Sequence, residues 1–175
     1  MSVTTLDPKT ALVVIDLQKG LMSYPTLHPI SEIVEKSRQL ADVFRKHGLP
    51  IVWVNVAGGA PGRTEQQRPS GDFPAAFAEL IPELGAEDGD LRVTKRTWGA
   101  FPHTDLEAKL GAADVTQIVL TGIATSIGVE STAREAYALG FNVTLAVDAI
   151  TDMDQSAHEH SVGRIFPRLG ETGTV

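Results

Sequence analysis

Five short apolar runs punctuate the chain: "ALVVIDL" (11–17), "PIVWVNV" (50–56), "LRVTKR" (91–96), "QIVLTGI" (117–123) and "NVTLAVDAI" (142–150). Most are rich in β-branched residues and lack polar alternation, the pattern of strands covered on both faces. Helical patterns separate them. In 31–48, Ile33, Ser37, Leu40, Ala41 and Phe44 share one face, while Glu32, Glu35, Arg38, Asp42 and Arg45 lie elsewhere. Gly48 is placed to stop that helix. Further helices are predicted over 127–139, stopped by Gly140, and over 154–169, with its end disturbed by Pro167. "FPAAFAEL" predicts a short helix, and Thr104 with Glu107 fits a reciprocal capping box ahead of another. "TGTV" reads as a short final extension. Strand and helix alternating in this way predict an α/β fold, a mainly parallel sheet with helices on each side. The 175 residues contain no repeat and no linker, which predicts a single domain over 1–175.

Composition narrows the function. Acidic residues outnumber basic ones, 22 to 15, for a net charge of −7. No basic stripe is available to neutralise phosphates, so nucleic acid is not an expected partner. No apolar run approaches the ~18 residues of a membrane span. "MSVTTLDPKT" lacks the basic-then-apolar order of a secretory leader. Cysteine is absent, which removes disulfides, thiolate metal sites and thiol nucleophiles together. A cytoplasmic protein that acts on or binds a small molecule is expected.

Open α/β sheets bind ligands outside the carboxyl ends of their strands. Asp16 lies near the end of the first run, Lys95 at the end of the third, and "TGIATSIGVESTA" (121–133) after the fourth. A carboxylate ending an apolar strand is partly desolvated, which raises its pKa toward general acid–base use. Lys95 could pair with it or stabilise developing negative charge. The turn offers Gly122 and Gly128 for close approach. Its helix-start N–H groups over Ala124, Thr125, Ser126, Ile127 and Gly128 could hold an oxyanion or carboxylate, or could simply be capped by Thr125 or Ser126. Gln18, Trp98, Phe101 and Asn55 are candidate substrate-lining residues, the aromatic pair being equally suited to core packing. The polar loop 57–72 is long enough to be functional. Its glycines lack the phosphate-loop pattern, and His158 and His160, two apart on a helix, make a poor metal pair.

"VVIDLQKG", "VTKRTWGAF" and "VLTGIATSIGVESTAREAYALGFNVTLAVDAITD" together resemble the isochorismatase-like hydrolase superfamily, also called the cysteine hydrolases, from about residue 11 to 170. The resemblance implies a three-layer α/β/α sandwich with a mainly parallel sheet of about six strands. It implies catalytic roles for Asp16 and Lys95, and it places the family's nucleophilic Cys on Gly128. An amidase mechanism through a thioester is therefore impossible as written. Isochorismatases also carry Gly there. In them a carboxylate protonates a vinyl ether carbon and water captures the oxocarbenium ion. This chain departs from that branch at Ala57, which aligns with a Gln, and at Ser126, which aligns with a His. The Asp and His that bind metal in nicotinamidase-type members have no counterpart in "VNVAGGAPG", so neither metal nor cofactor is expected. A non-proline cis peptide is expected at Ala124–Thr125, and a homodimer or larger homo-oligomer is implied. The readings are thus a thiol-free hydrolase, a catalytically degenerate member that binds a small ligand or protein partner, and an amidase using Ser126 or Ser131.

Overall fold

The computed structural model describes residues 3–66 and 71–175, so residues 67–70 of the long polar loop lie outside the described residues. In chain order the strands are β1 (Thr10–Ile15), β2 (Ile51–Val56), β3 (Gly58–Gly59), β4 (Gly71–Asp72), β5 (Leu91–Lys95), β6 (Gln117–Ile123), β7 (Asn142–Thr151) and β8 (Glu171–Gly173). The helices are α1 (Ile30–Lys46), α2 (Ala75–Ala78), α3 (Leu106–Ala112), α4 (Glu130–Ala138), α5 (Gln155–His160) and α6 (Phe166–Leu169). Among the described residues a six-stranded sheet runs in the order β5-β2-β1-β6-β7-β8, and every neighbouring pair is parallel. β3 and β4 form a separate antiparallel pair within the polar loop.

Alternate residues of β1 feed two cores, as a strand covered on both faces requires. Ala11, Val13 and Ile15 pack with Leu106 and Leu110 of α3, Ala133 and Ala136 of α4, and Phe166 of α6. Leu12 and Val14 pack with Ile33, Val34, Ala41 and Phe44 of α1. The fold is thus the three-layer sandwich expected from the alternation of runs.

Several local expectations are corrected. β1 stops at Ile15 rather than 17, because Asp16 turns to φ 56° and the Gln18 N–H bonds back to the Asp16 carbonyl. Asp105, not Thr104, is the N-cap of α3. Thr104 Oγ1 accepts from the Leu106 N–H at 3.2 Å instead of joining a reciprocal pair with Glu107. The final helix is divided: a wide π turn, Ser161–Ile165, separates α5 from α6 just before Pro167, whose ring cannot donate to a regular helix. The "short final extension" contributes to β8, which pairs with β7 through Thr144–Glu171, Leu145–Thr172 and Ala146–Gly173.

The order of strands positions the site. From β1 the chain builds outward through β2 to β5, then returns to β6 on the other side of β1 and builds outward to β8. Connections diverge at the β1–β6 boundary, which opens a crevice at the carboxyl ends of these two strands.

Candidate active site

Asp16 sits in that crevice. Its backbone N–H stays bonded to the Val54 carbonyl at 2.9 Å, while its positive φ swings the side chain out of the strand's alternation. Short polar Asp tolerates this left-handed conformation better than a branched residue would. Lys95 ends β5, two strands away, and its extended side chain reaches back beneath the crevice. Its Nζ donates to Asp16 Oδ2 at 2.8 Å, to the Trp98 carbonyl at 2.9 Å and to the Thr97 carbonyl at 3.1 Å. All three ammonium protons are thereby used. Both residues are nearly closed to solvent, Asp16 at 5% and Lys95 at 2% exposure. Among the described residues Asp16 Oδ1 has no hydrogen-bond partner. Burial pushes the Asp16 carboxyl above the usual carboxylate range, against the opposing pull of the Lys95 charge and its hydrogen bond.

The turn after β6 starts with Gly122, whose φ of +115° and close approach to β1 admit no side chain: a Cβ there would stand 2.0 Å from the Ile15 carbonyl oxygen. The cis peptide is Ile123–Ala124, one residue before the expected Ala124–Thr125. Residues Thr125–Val129 then form a π turn leading into α4. The expected anion cradle is partly filled by the protein itself. The Ser126 N–H donates to Asp152 Oδ2 at 2.7 Å, and the Ile127 N–H donates to the Ala124 carbonyl at 3.1 Å. Neither Thr125 nor Ser126 caps the helix through its side chain. Thr125 Oγ1 instead lies 2.9 Å from His158 Nδ1. Gly128 faces the carboxylate: a Cβ on it would lie 3.3 Å from Asp16 Oδ2 and 2.9 Å from Ile15 Cγ2.

A cavity of about 520 Å³ opens over this group. Asp16, Lys95, Ala124, Ile127, Gly128 and Trp98 line it, with Trp98 half exposed at the mouth. The polar loop supplies a further wall through Gly58, Gly59, Pro61 and Thr64, and Phe73, Leu21 and Met153 complete the apolar lining. Five expected site residues are elsewhere, among them Thr125, which is fully buried and outside the cavity lining. Gln18 is fully buried and latches the end of β2, accepting from the Val56 N–H and donating to the Val56 and Phe77 carbonyls. Asn55 borders a different depression, tied to the Ala78 carbonyl and to Thr94. Phe101 is buried against Phe141, their ring centroids 5.9 Å apart. Ser126 is outside the cavity lining, as is Ser131 on the following helix.

Two acidic residues escaped sequence reasoning. Asp152, just beyond β7, is buried and also accepts from the Met153 and Asp154 N–H groups, so it ties the π turn to the start of α5. Glu135 on α4 accepts from the Phe101 N–H at 3.2 Å and contacts the Ala100 N–H, and its carboxyl is pushed up by burial. It closes over Gly99, where a Cβ would meet its carboxylate at 1.9 Å. The loop that offers the Thr97 and Trp98 carbonyls to Lys95 is therefore held from α4. Only a contact across the fold links Glu135 to this loop. In the sequence it is one of several acids on a helix.

Among the described residues, no three His, Asp or Glu side chains come together as a metal-binding group, and no helix is long and apolar enough to cross a membrane.

The model of the isochorismatase domain matches residues 10–175. The "uncharacterized isochorismatase family protein YwoC" of Bacillus subtilis is 46% identical over 174 residues, covering 95% of this chain and 90% of its own. A ureidoacrylate amidohydrolase, RutB of Variovorax paradoxus, is 28% identical, covering 95% of this chain and 78% of its own. The solved structure of an isochorismatase family protein from Burkholderia thailandensis superposes with a TM-score of 0.94 at 39% identity, covering 99% of this chain and 95% of its own. Matched over nearly its whole length in both sequence and fold, this chain belongs to the isochorismatase family.

Proposed function

We propose that the protein is a hydrolase of small molecules that uses Asp16 as its acid and base, with no covalent enzyme intermediate. One observation carries the reading. A buried carboxyl is anchored through Oδ2 by Lys95, while Oδ1 has no partner among the described residues and the residue borders an open cavity. The raised pKa of Asp16 suits it to hold a proton at higher pH than an ordinary carboxyl does, and the anchored oxygen fixes where that proton is presented.

An enol ether illustrates the balance. Asp16 delivers its proton to the vinyl carbon, and the electron pair of the carbon–carbon double bond forms the new C–H bond. Water adds to the resulting oxocarbenium carbon and returns a proton to the Asp16 carboxylate. The hemiketal then collapses to a ketone and an alcohol, so the net reaction consumes one water. Lys95 holds the carboxylate through both states and stabilises its ionised form between the two proton transfers. Gly128 contributes space beside Asp16 rather than a nucleophile.

A second reading is a family member that binds a ligand without turnover, favoured by the largely apolar cavity walls. Amide cleavage through Ser126 or Ser131 is the weakest reading, because neither residue lines the cavity. The test is turnover of isochorismate, uncharged enol ethers and small amides, with Asp16→Ala as the control. Ether cleavage abolished by Asp16→Ala is the expected result. Turnover that survives Asp16→Ala, or amide cleavage lost in Ser126→Ala or Ser131→Ala, would reject the proposal. Binding without turnover would favour the second reading.

A further inference from the structure

We infer that the Asp16 cavity selects an uncharged substrate, a compact molecule with an apolar body and one electron-rich atom to meet Asp16, over its carboxylate-bearing counterpart. The inference rests on the acid–base reading above for what happens at Asp16, but its selectivity argument rests on the cavity alone.

Among the described residues the cations on the cavity wall are Lys95 and Arg96. Lys95 has no proton left for a ligand, since Asp16, Thr97 and Trp98 take all three. Its charge is matched by Asp16 whenever that carboxyl is ionised. Arg96, exposed at the mouth, is ion-paired with Asp72, its Nε 2.8 Å from Asp72 Oδ1. The start of the turn after β6, where N–H groups could have received an anion, has already accepted one: the Asp152 carboxylate on the Ser126 N–H. The remaining wall is mainly apolar, with Leu21, Val56, Phe73, Ile123, Ile127 and Met153 around the space above Asp16, and Thr64 and Thr97 supply only neutral polar groups.

A carboxylate entering this space would surrender its water without gaining a buried cation, and would approach a carboxyl of the same sign whenever Asp16 is ionised. An uncharged molecule loses little on entry and gains from apolar contact. Among the described residues, the buried side-chain atom that lacks a partner at the floor is Asp16 Oδ1. It asks for a single complementary atom, which a proton carried by Asp16 would meet.

The experiment uses matched pairs. Binding of methoxycyclohexane and of the same ring bearing a carboxylate is measured by calorimetry and by the fluorescence of Trp98 at the cavity mouth. Turnover is measured on the corresponding pair of cyclohexenyl methyl ethers. The uncharged ligand is expected to bind about tenfold or more tightly. Met153→Arg, which adds a cation at the half-exposed rim, is expected to narrow that ratio by strengthening carboxylate binding. Equal or tighter binding of the carboxylate by the unaltered protein would overturn the inference, as would binding of neither. The two readings fail separately. Preferential binding of the uncharged ether with no hydrolysis of either enol ether rejects the acid–base reading and leaves the selectivity standing. Faster hydrolysis of the carboxylate enol ether, abolished by Asp16→Ala, does the reverse.

Discussion

Asp16 combines three properties that seldom coincide in one carboxylate: a left-handed backbone, near-complete burial and an unpartnered oxygen among the described residues. Its titration has a definite sign. The folded-state pKa lies above the ordinary value of 3.8, so the folded protein holds this proton more tightly than the unfolded chain. The resulting contribution to stability is fully present below that ordinary value. It is lost as pH rises through the raised folded pKa. Urea unfolding from about pH 4 to about pH 7 should therefore show the wild type losing stability with rising pH relative to Asp16→Asn. Parallel curves for the two proteins would contradict the raised pKa. The same titration should set the alkaline limb of kcat, since only the protonated carboxyl can donate.

Elements matter here mainly through what they hold still. β5 delivers Lys95, but the loop after it must present the Thr97 and Trp98 carbonyls, and α4 secures that loop through Glu135. Glu135 is a positioning residue, since it does not line the cavity. Glu135→Ala would leave the Phe101 N–H without its acceptor and should cost about 1–3 kcal/mol of stability. It should also lower kcat with little change in KM. Glu135→Gln keeps one accepting oxygen and should restore most of kcat. If Gln and Ala behave alike in both stability and kcat, the loop does not depend on that hydrogen bond. The π turn of Thr125–Val129 is held in a comparable way by Asp152. Both acids join segments distant in sequence around the same crevice.

At the scale of the molecule, the sheet has two edges and β8 forms one of them. It covers β7, and Glu171 bonds the Thr4 N–H at 2.9 Å and its hydroxyl at 2.5 Å, so the edge strand is tied to the segment before β1. Shortening the chain after Gly170 would expose the backbone of β7. The expected result is a loss of about 2 kcal/mol or more, together with concentration-dependent scattering as bare edges pair. An unchanged melting temperature would show that β8 contributes little.

The strands β2, β5, β6 and β7, their parallel arrangement and the two covering layers were legible in the sequence, because strands buried on both faces, such as β6, read as short apolar runs, while β5, at the sheet edge, is exposed at Arg92 and Thr94 and is apolar only at Leu91 and Val93. Asp16, Lys95 and Gly128 were legible as candidates because strand ends are where such sheets place ligands and because the family's motifs run through them. Other features belong to the tertiary structure alone. Gln18 and Asn55 turned inward as latches, since buried backbone groups at the end of β2 and in the following segment needed partners that local sequence did not supply. The Ser126 N–H met Asp152 rather than standing open, because β7 ends beside the turn. Periodicity and spacing report which face of an element is apolar. They carry no information about which side chain from a distant element arrives to satisfy a given polar atom, and it is those arrivals that decided which groups in this site are spent and which oxygen of Asp16 is left for a ligand.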